Sequence, residues 1–231
     1  LSYQSHTTEG KPIDIYKYAG KESVIEECEN SLRRLKTDYI DLYQIHWHDV
    51  TTPISETFEA VEKLIQQGKV RYAGVCNYRP EWMSEAIKTT NIISNQVPYS
   101  MVNRKIEAET VPYCIAHQKS ILAYSPLERG LLTGKITPDY KFSEGDHRAA
   151  HPSYSKENII STNAKLEKLK PLAQEKGISL AQLVLRWTVQ RPGITIALAG
   201  ARNAEQALQN AKAGEFSLTT YEMDFINNIM G

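Results

Sequence analysis

Five places in this chain carry side chains suited to gripping a polar organic ligand, and each closes a short β-rich run. His46 ends the run YIDLYQIH (39–46), and Cys76 and Asn77 end VRYAGVC (Val70–Cys76). Gln96 lies at the close of 92–97, Tyr124 and Ser125 end SILAY (Ser120–Tyr124), and Gly200-Ala201-Arg202 follows ITIAL (Ile194–Leu198). Asn77 and Gln96 each offer a donor and an acceptor, which suits an amide-bearing ligand. Tyr124 offers a ring on which a flat heterocycle can stack. Gly200 permits close backbone approach, Asn203 can cap the helix that follows, and free N–H groups there attract phosphate. Arg202 adds a possible bidentate grip on a second phosphate. Together these features fit a nicotinamide dinucleotide in an extended pose.

Each feature also has a plainer reading. His46 sits in an apolar run, where a core histidine bonded to backbone is common. Gly200–Asn203 can be an ordinary strand–turn–helix junction with a surface arginine. His46 and His48 form a His-x-His pair, a metal-binding spacing on a strand. A metal-dependent barrel hydrolase would need further histidines and an aspartate at later strand ends, and those positions hold Asn77, Gln96, Ser125 and Gly200. No metal site is expected. Trp47, Tyr78 and Trp82 are candidates for substrate-pocket walls, and core packing explains each equally well.

Alternating elements must position these groups. Helical patterns fall at Lys21–Leu35, 54–67, 80–88, 108–118, 158–176, Leu180–Gln190, 204–213 and Thr220–Met230, between strands that read as short apolar runs covered on both faces. Repeated β-then-α units mean a parallel sheet, open or closed into a barrel. A doubly wound sheet loads the loops at its switch point, whereas a barrel uses the carboxyl ends of all its strands. Polar groups or a glycine turn at all five strand ends favour the barrel. A (β/α)8 barrel wants eight strands, but here the first helix follows a loop with no strand before it. The chain is therefore expected to start late in the fold and to carry its last five units. The irregular stretch 134–154 is long enough to be a lid, a binding loop or a surface insertion.

Composition narrows the function classes. The 231 residues balance 27 basic against 27 acidic side chains, so no net field draws the chain to nucleic acid or an anionic membrane. No apolar run reaches the ~18–20 residues that span a bilayer. Cys28, Cys76 and Cys114 are too few for a disulfide framework, and with LSYQSHTTEG unlike a secretory signal, a cytoplasmic setting is expected. Oligomeric state is not legible.

The blocks DYIDLYQIHW, GKVRYAGVCNY, the Gln96 region, AYSPLERGLLTGK and LAGARNAEQALQN closely resemble successive motifs of the aldo-keto reductases, in order, from about Lys21 onward. The resemblance implies a single N-terminally incomplete domain over residues 1–231. It is that of a TIM (β/α)8 barrel using NADPH to reduce a small-molecule aldehyde or ketone. It implies that His46 is the catalytic histidine, polarising the substrate carbonyl. Cys76, Asn77 and Gln96 match positions that hold the nicotinamide carboxamide, with cysteine in place of serine, and Tyr124 matches the stacking aromatic. Ser125, Pro126, Leu127, Gly130 and Lys135 match the loop along the pyrophosphate, and Arg148 resembles a phosphate-facing arginine. Gly200, Arg202, Gln206, Gln209 and Asn210 match the pocket for adenine and the 2′-phosphate, and the arginine argues for NADPH over NADH. The family's catalytic aspartate, tyrosine and lysine have their places upstream of Leu1, so the chain alone is expected to be inactive. Asp14, Tyr16, Lys17 and Lys21 have the right types but are not expected to act, since they precede a helix and end no strand. His48 replaces a common proline. A second function class implied by the family is an NADPH-binding, redox-sensing regulatory subunit with little turnover, and a third is the metal hydrolase built on His46 and His48.

Overall fold

The computed structural model describes the backbone of residues 3–6 and 12–15 and all atoms of residues 16–231. Two short strands open it, β1 (Tyr3–His6) and β2 (Pro12–Ile15), paired antiparallel with Tyr3 opposite Ile15. This hairpin corrects the expectation that no strand precedes the first helix. Four-residue runs of mixed polarity carry too little alternation to be read as strands. Asp14 lies within β2, and its side chain lies outside the described residues.

The five expected strands are all present, as β3 (Ile40–Ile45), β4 (Val70–Cys76), β5 (Ile92–Pro98), β6 (Ser120–Tyr124) and β7 (Ile194–Leu198), in that order in one sheet. The chain divides into two compact units, residues 1–97 with 112–121, and residues 98–111 with 122–231.

In the first unit β3, β4 and β5 pair in parallel, Gln44 beside Gly74 and Gly74 beside Ser94. Helix α1 (Lys21–Leu35) buries Val24, Cys28 and Leu32 along one stripe and ends where Lys36 turns left-handed. Helix α2 (Ile54–Gln66) buries Thr57, Phe58, Ala60, Val61 and Leu64, a 3.6-residue pattern facing the sheet. Gly68, at φ 72°, reverses the chain there, and the Lys69 N–H donates to Leu64 O at 3.0 Å. Pro80 opens α3 (Pro80–Ile87), where its missing N–H costs nothing. The expected helix over 108–118 resolves into a single turn at Lys105–Glu107 and a shorter α4 (Thr110–Ala116).

In the second unit α5 (Lys156–Glu175), α6 (Leu180–Gln190), α7 (Ala204–Ala211) and α8 (Thr220–Met230) surround Leu166, Leu169, Leu183, Trp187 and Ile226, all buried. Capping boxes at Ser179/Gln182 and Thr219/Glu222 start α6 and α8. Strand β7 departs from the expectation of burial on both faces. Ile196 is 45% and Leu198 38% exposed, as befits a strand at the end of the sheet order.

Candidate active site

Parallel strands deliver their carboxyl ends to one rim, and the first unit places three predicted groups there. His46 follows β3, is exposed, and has its ring 5.7 Å from that of Trp47. Asn77 follows β4 with φ 59°, a left-handed turn that asparagine tolerates. Its N–H donates to Gln96 O at 2.9 Å, and its Nδ2 donates to His46 O at 3.2 Å. Gln96, half-buried on β5, accepts from Gln44 Nε2 at 3.0 Å. Ends of three neighbouring strands are thus laced by hydrogen bonds. Cys76 is buried, and burial pushes its thiol up to about 11, so it is a neutral, weak donor at pH 7.

Behind this rim lies structure that the sequence did not reveal. The His48 ring packs 4.4 Å from Trp82 and 5.8 Å from Tyr78, and burial lowers its pKa. Tyr78 is also edge-on to Phe58. The aromatic cluster accounts for His48, Tyr78 and Trp82 as packing. Trp47 is 40% exposed with Lys17 Nζ 3.7 Å over its ring. Tyr16 is exposed, and Lys21 pairs with Glu59 at 2.9 Å. Among the described residues no group of three or more His, Cys, Asp or Glu could hold a metal ion.

The second unit carries the remaining predicted groups. After Tyr124, which is half-buried, the chain turns left-handed at Ser125 (φ 56°), Glu128 (φ 44°), Arg129 (φ 48°) and Gly130 (φ 103°). Pro126 is buried and Leu127 half-buried, and Leu127 O accepts from the N–H groups of Gly130 (3.0 Å) and Leu132 (3.2 Å). Tyr154 OH donates to Glu128 O at 2.6 Å, and Ser100 Oγ donates to Glu128 Oε1 at 2.7 Å. Lys135 is exposed just beyond. Arg148 is engaged within the protein: it binds Asp146 Oδ2 from Nη2 at 2.6 Å and donates from Nη1 to Arg129 O at 3.0 Å. It closes the long loop onto the turn. A cavity of about 570 Å³ opens in this unit, lined among others by Tyr124, Ser125, Arg129, Lys105 and His151.

At the start of α7, Asn203 Oδ1 accepts from the Gln206 N–H at 2.9 Å, as expected of a cap. Gln206 Oε1 accepts from the Arg202 N–H at 2.8 Å, and Asn210 Nδ2 donates to Gly200 O at 3.2 Å. Gln209 accepts from Gln182 Nε2 at 3.1 Å through its side chain. The Gly200–Asn210 segment is therefore a braced turn, with Gly200, Arg202, Gln206 and Gln209 exposed.

Residues 13–230 match the family model described as the Aldo/keto reductase family. The chain belongs to that family. It is 36% identical over 221 residues to the aldo-keto reductase YhdN of Bacillus subtilis, covering 95% of this chain and 67% of that protein. It is 35% identical over 208 residues to the NADH-specific methylglyoxal reductase of Escherichia coli, covering 89% of this chain and 63% of that one. Among solved structures, the glycerol dehydrogenase AKR11B4 of Gluconobacter oxydans superposes with a TM-score of 0.91 at 34% identity, over 99% of this chain and 69% of that one. This aldo/keto reductase chain thus spans about two thirds of the length of the relatives it matches. The barrel-type α/β fold of the family agrees with the five-stranded sheet. Among the described residues no helix is long and apolar enough to cross a membrane.

Proposed function

We propose that the protein carrying this chain reduces an aldehyde or ketone to an alcohol with NADPH, and that the chain supplies the last five βα units of its barrel as one domain over residues 1–231. The observation that carries this reading is the lacing of His46, Asn77 and Gln96 at the ends of three adjacent parallel strands. Such a row presents a histidine and two amides to one rim, a donor set that fits a carboxamide beside a polarised carbonyl.

The residues present fit a nicotinamide dinucleotide. Asn77 and Gln96, with the weaker Cys76 thiol, would hold the carboxamide, and Tyr124 offers the stacking face. Ser125, Pro126, Leu127, Gly130 and Lys135, with Arg148 bracing the turn, offer backbone amides and charge to the pyrophosphate. Gly200, Arg202, Gln206, Gln209 and Asn210 would hold the adenosine end. When bound, the cofactor supplies the hydride. His46 holds the substrate's carbonyl oxygen by donating a hydrogen bond, stabilising the charge that grows there. By the resemblance, a proton-donating tyrosine with lysine and aspartate partners would come from the rest of the protein, and we propose that these 231 residues alone turn over little.

Cofactor choice rests on Arg202, exposed at the head of α7, because a guanidinium there meets two additional negative charges on NADPH. Binding titrations with NADPH and NADH on wild type and Arg202→Ala test this. The variant is expected to lose about tenfold in NADPH affinity, one charge-assisted hydrogen bond, and to leave NADH unchanged. Equal wild-type affinities for the two would remove the NADPH preference, and no affinity for either would remove the reading. Three free cysteines, all buried, support a reducing, cytoplasmic compartment.

A further inference from the structure

Gln96, the residue we assign to the carboxamide, is itself held from two strands away. Gln44 on β3 donates from Nε2 to Gln96 Oε1 on β5, although β4 runs between them. Gly74, beside Gln44 in the register, leaves the space for that crossing. A Cβ at residue 74 would lie 3.1 Å from Gln44 Cγ, 3.1 Å from Leu42 Cδ1 and 2.5 Å from Ser94 Oγ. Gly74 is not among the residues with positive φ, so the requirement is for room and not for an unusual backbone. Gln44 Oε1 and Ser94 Oγ are both buried with no protein partner. The Gln44 amide is therefore committed to Gln96 through its nitrogen, at the cost of an unmatched carbonyl oxygen. Shape alone does not call for a glutamine here, since a leucine would fill the space without burying that oxygen.

We propose that Gln44 is a positioning residue for cofactor binding. By occupying Gln96 Oε1 it turns Gln96 Nε2 outward, so that Gln96 donates to the carbonyl oxygen of the nicotinamide carboxamide and does not accept from its NH2 group. The inference rests on the cofactor reading above and adds to it the polarity of one contact.

The test uses the full natural protein and three ligands: NADPH, its 3-acetylpyridine analogue, which keeps the carbonyl oxygen but lacks the NH2 group, and 2′-phospho-ADP-ribose, which lacks the ring. Gln44→Glu places a carboxylate that can only accept, so Gln96 must present Nε2 to it and Oε1 to the ligand. The analogue then has no N–H to offer, and its affinity is expected to fall about tenfold further than that of NADPH. Gln44→Leu is expected to weaken both dinucleotides by similar, smaller factors. Neither variant should alter binding of 2′-phospho-ADP-ribose. An unchanged analogue-to-NADPH ratio in Gln44→Glu, or a parallel loss of 2′-phospho-ADP-ribose binding, overturns the proposal. A wild type that binds neither dinucleotide overturns the cofactor reading and this role with it. The Gln44–Gln96 contact is then judged separately, by side-chain amide NMR of the ligand-free protein with and without Gln44→Leu.

Discussion

Asp49, the residue after the packed His48, is 3% exposed, and four donors surround its carboxylate. They are the Ala19 N–H at 3.0 Å, the Thr51 N–H at 2.8 Å, Thr51 Oγ1 at 2.7 Å and Thr52 Oγ1 at 2.6 Å. Burial pushes the acid upward, but the bonds from Thr51, Thr52 and Ala19 outweigh it and hold Asp49 at about 2. Because the folded value lies below the ordinary 3.8, the stabilisation is fully present above about pH 4 and disappears as pH falls toward 2. Asp49→Asn is expected to lower the unfolding free energy by about 2 kcal/mol at pH 7 and to be nearly neutral at pH 2. Urea denaturation at the two pH values checks it, and an equal loss at both would exclude the linkage. In the sequence Asp49 is simply a polar residue shortly after β3. What it binds depends on a backbone N–H thirty positions away, and local spacing does not carry that information. Gln44 was hidden for a related reason: it was one polar letter within a strand, with its partner 52 residues on. His46, Asn77 and Gln96 were legible because strand ends in parallel folds are where ligands bind.

At the scale of elements, strands β3 to β7 were legible from short apolar runs, and α6 and α8 fell at the expected boundaries. Removing the α6 cap with Ser179→Ala is expected to cost about 1 kcal/mol of stability, measured by thermal or urea unfolding. The turn after β6 was legible only as a motif. Left-handed backbone at Glu128 and Arg129 follows from tertiary restraint, since neither residue type prefers it. At Arg129 the left-handed backbone costs about 1 kcal/mol, so Arg129→Gly is expected to raise stability by a fraction of that, offset by glycine's greater unfolded entropy. A lower melting temperature would show that the Arg129 side chain contributes more than its backbone costs. The resemblance aligns Arg148 with a phosphate-facing arginine, and its observed engagement is with Asp146, two residues earlier, and with Arg129 O. Arg148→Ala is expected to open residues 134–151 to limited proteolysis, and cleavage at the wild-type rate would count against the brace.

Across the whole molecule, equal numbers of acids and bases conceal one unequal cluster. In the second unit Glu107 accepts from Arg104 Nη2 at 2.9 Å, from Arg191 Nη2 at 3.0 Å and from Tyr99 OH, while the Tyr99 ring stacks on that of Trp187 at 5.7 Å. Burial and the neighbouring carboxylate push the Tyr99 hydroxyl well above its usual range. Two guanidinium groups share one carboxylate and join positions 84 residues apart in sequence. Glu107→Gln leaves both cations without their acid and is expected to destabilise the protein by about 3 kcal/mol, measured by denaturant unfolding at pH 7. A loss below about 1 kcal/mol would mean that water screens the pair. The placement of cysteines bears on experiments at this scale. Cys28, Cys76 and Cys114 are buried, and all three fall in the first compact unit. Raised thiol pKa values and burial together silence them toward alkylating reagents until local opening occurs. Iodoacetamide mass labelling therefore clocks the breathing of one unit alone, with the other contributing no signal.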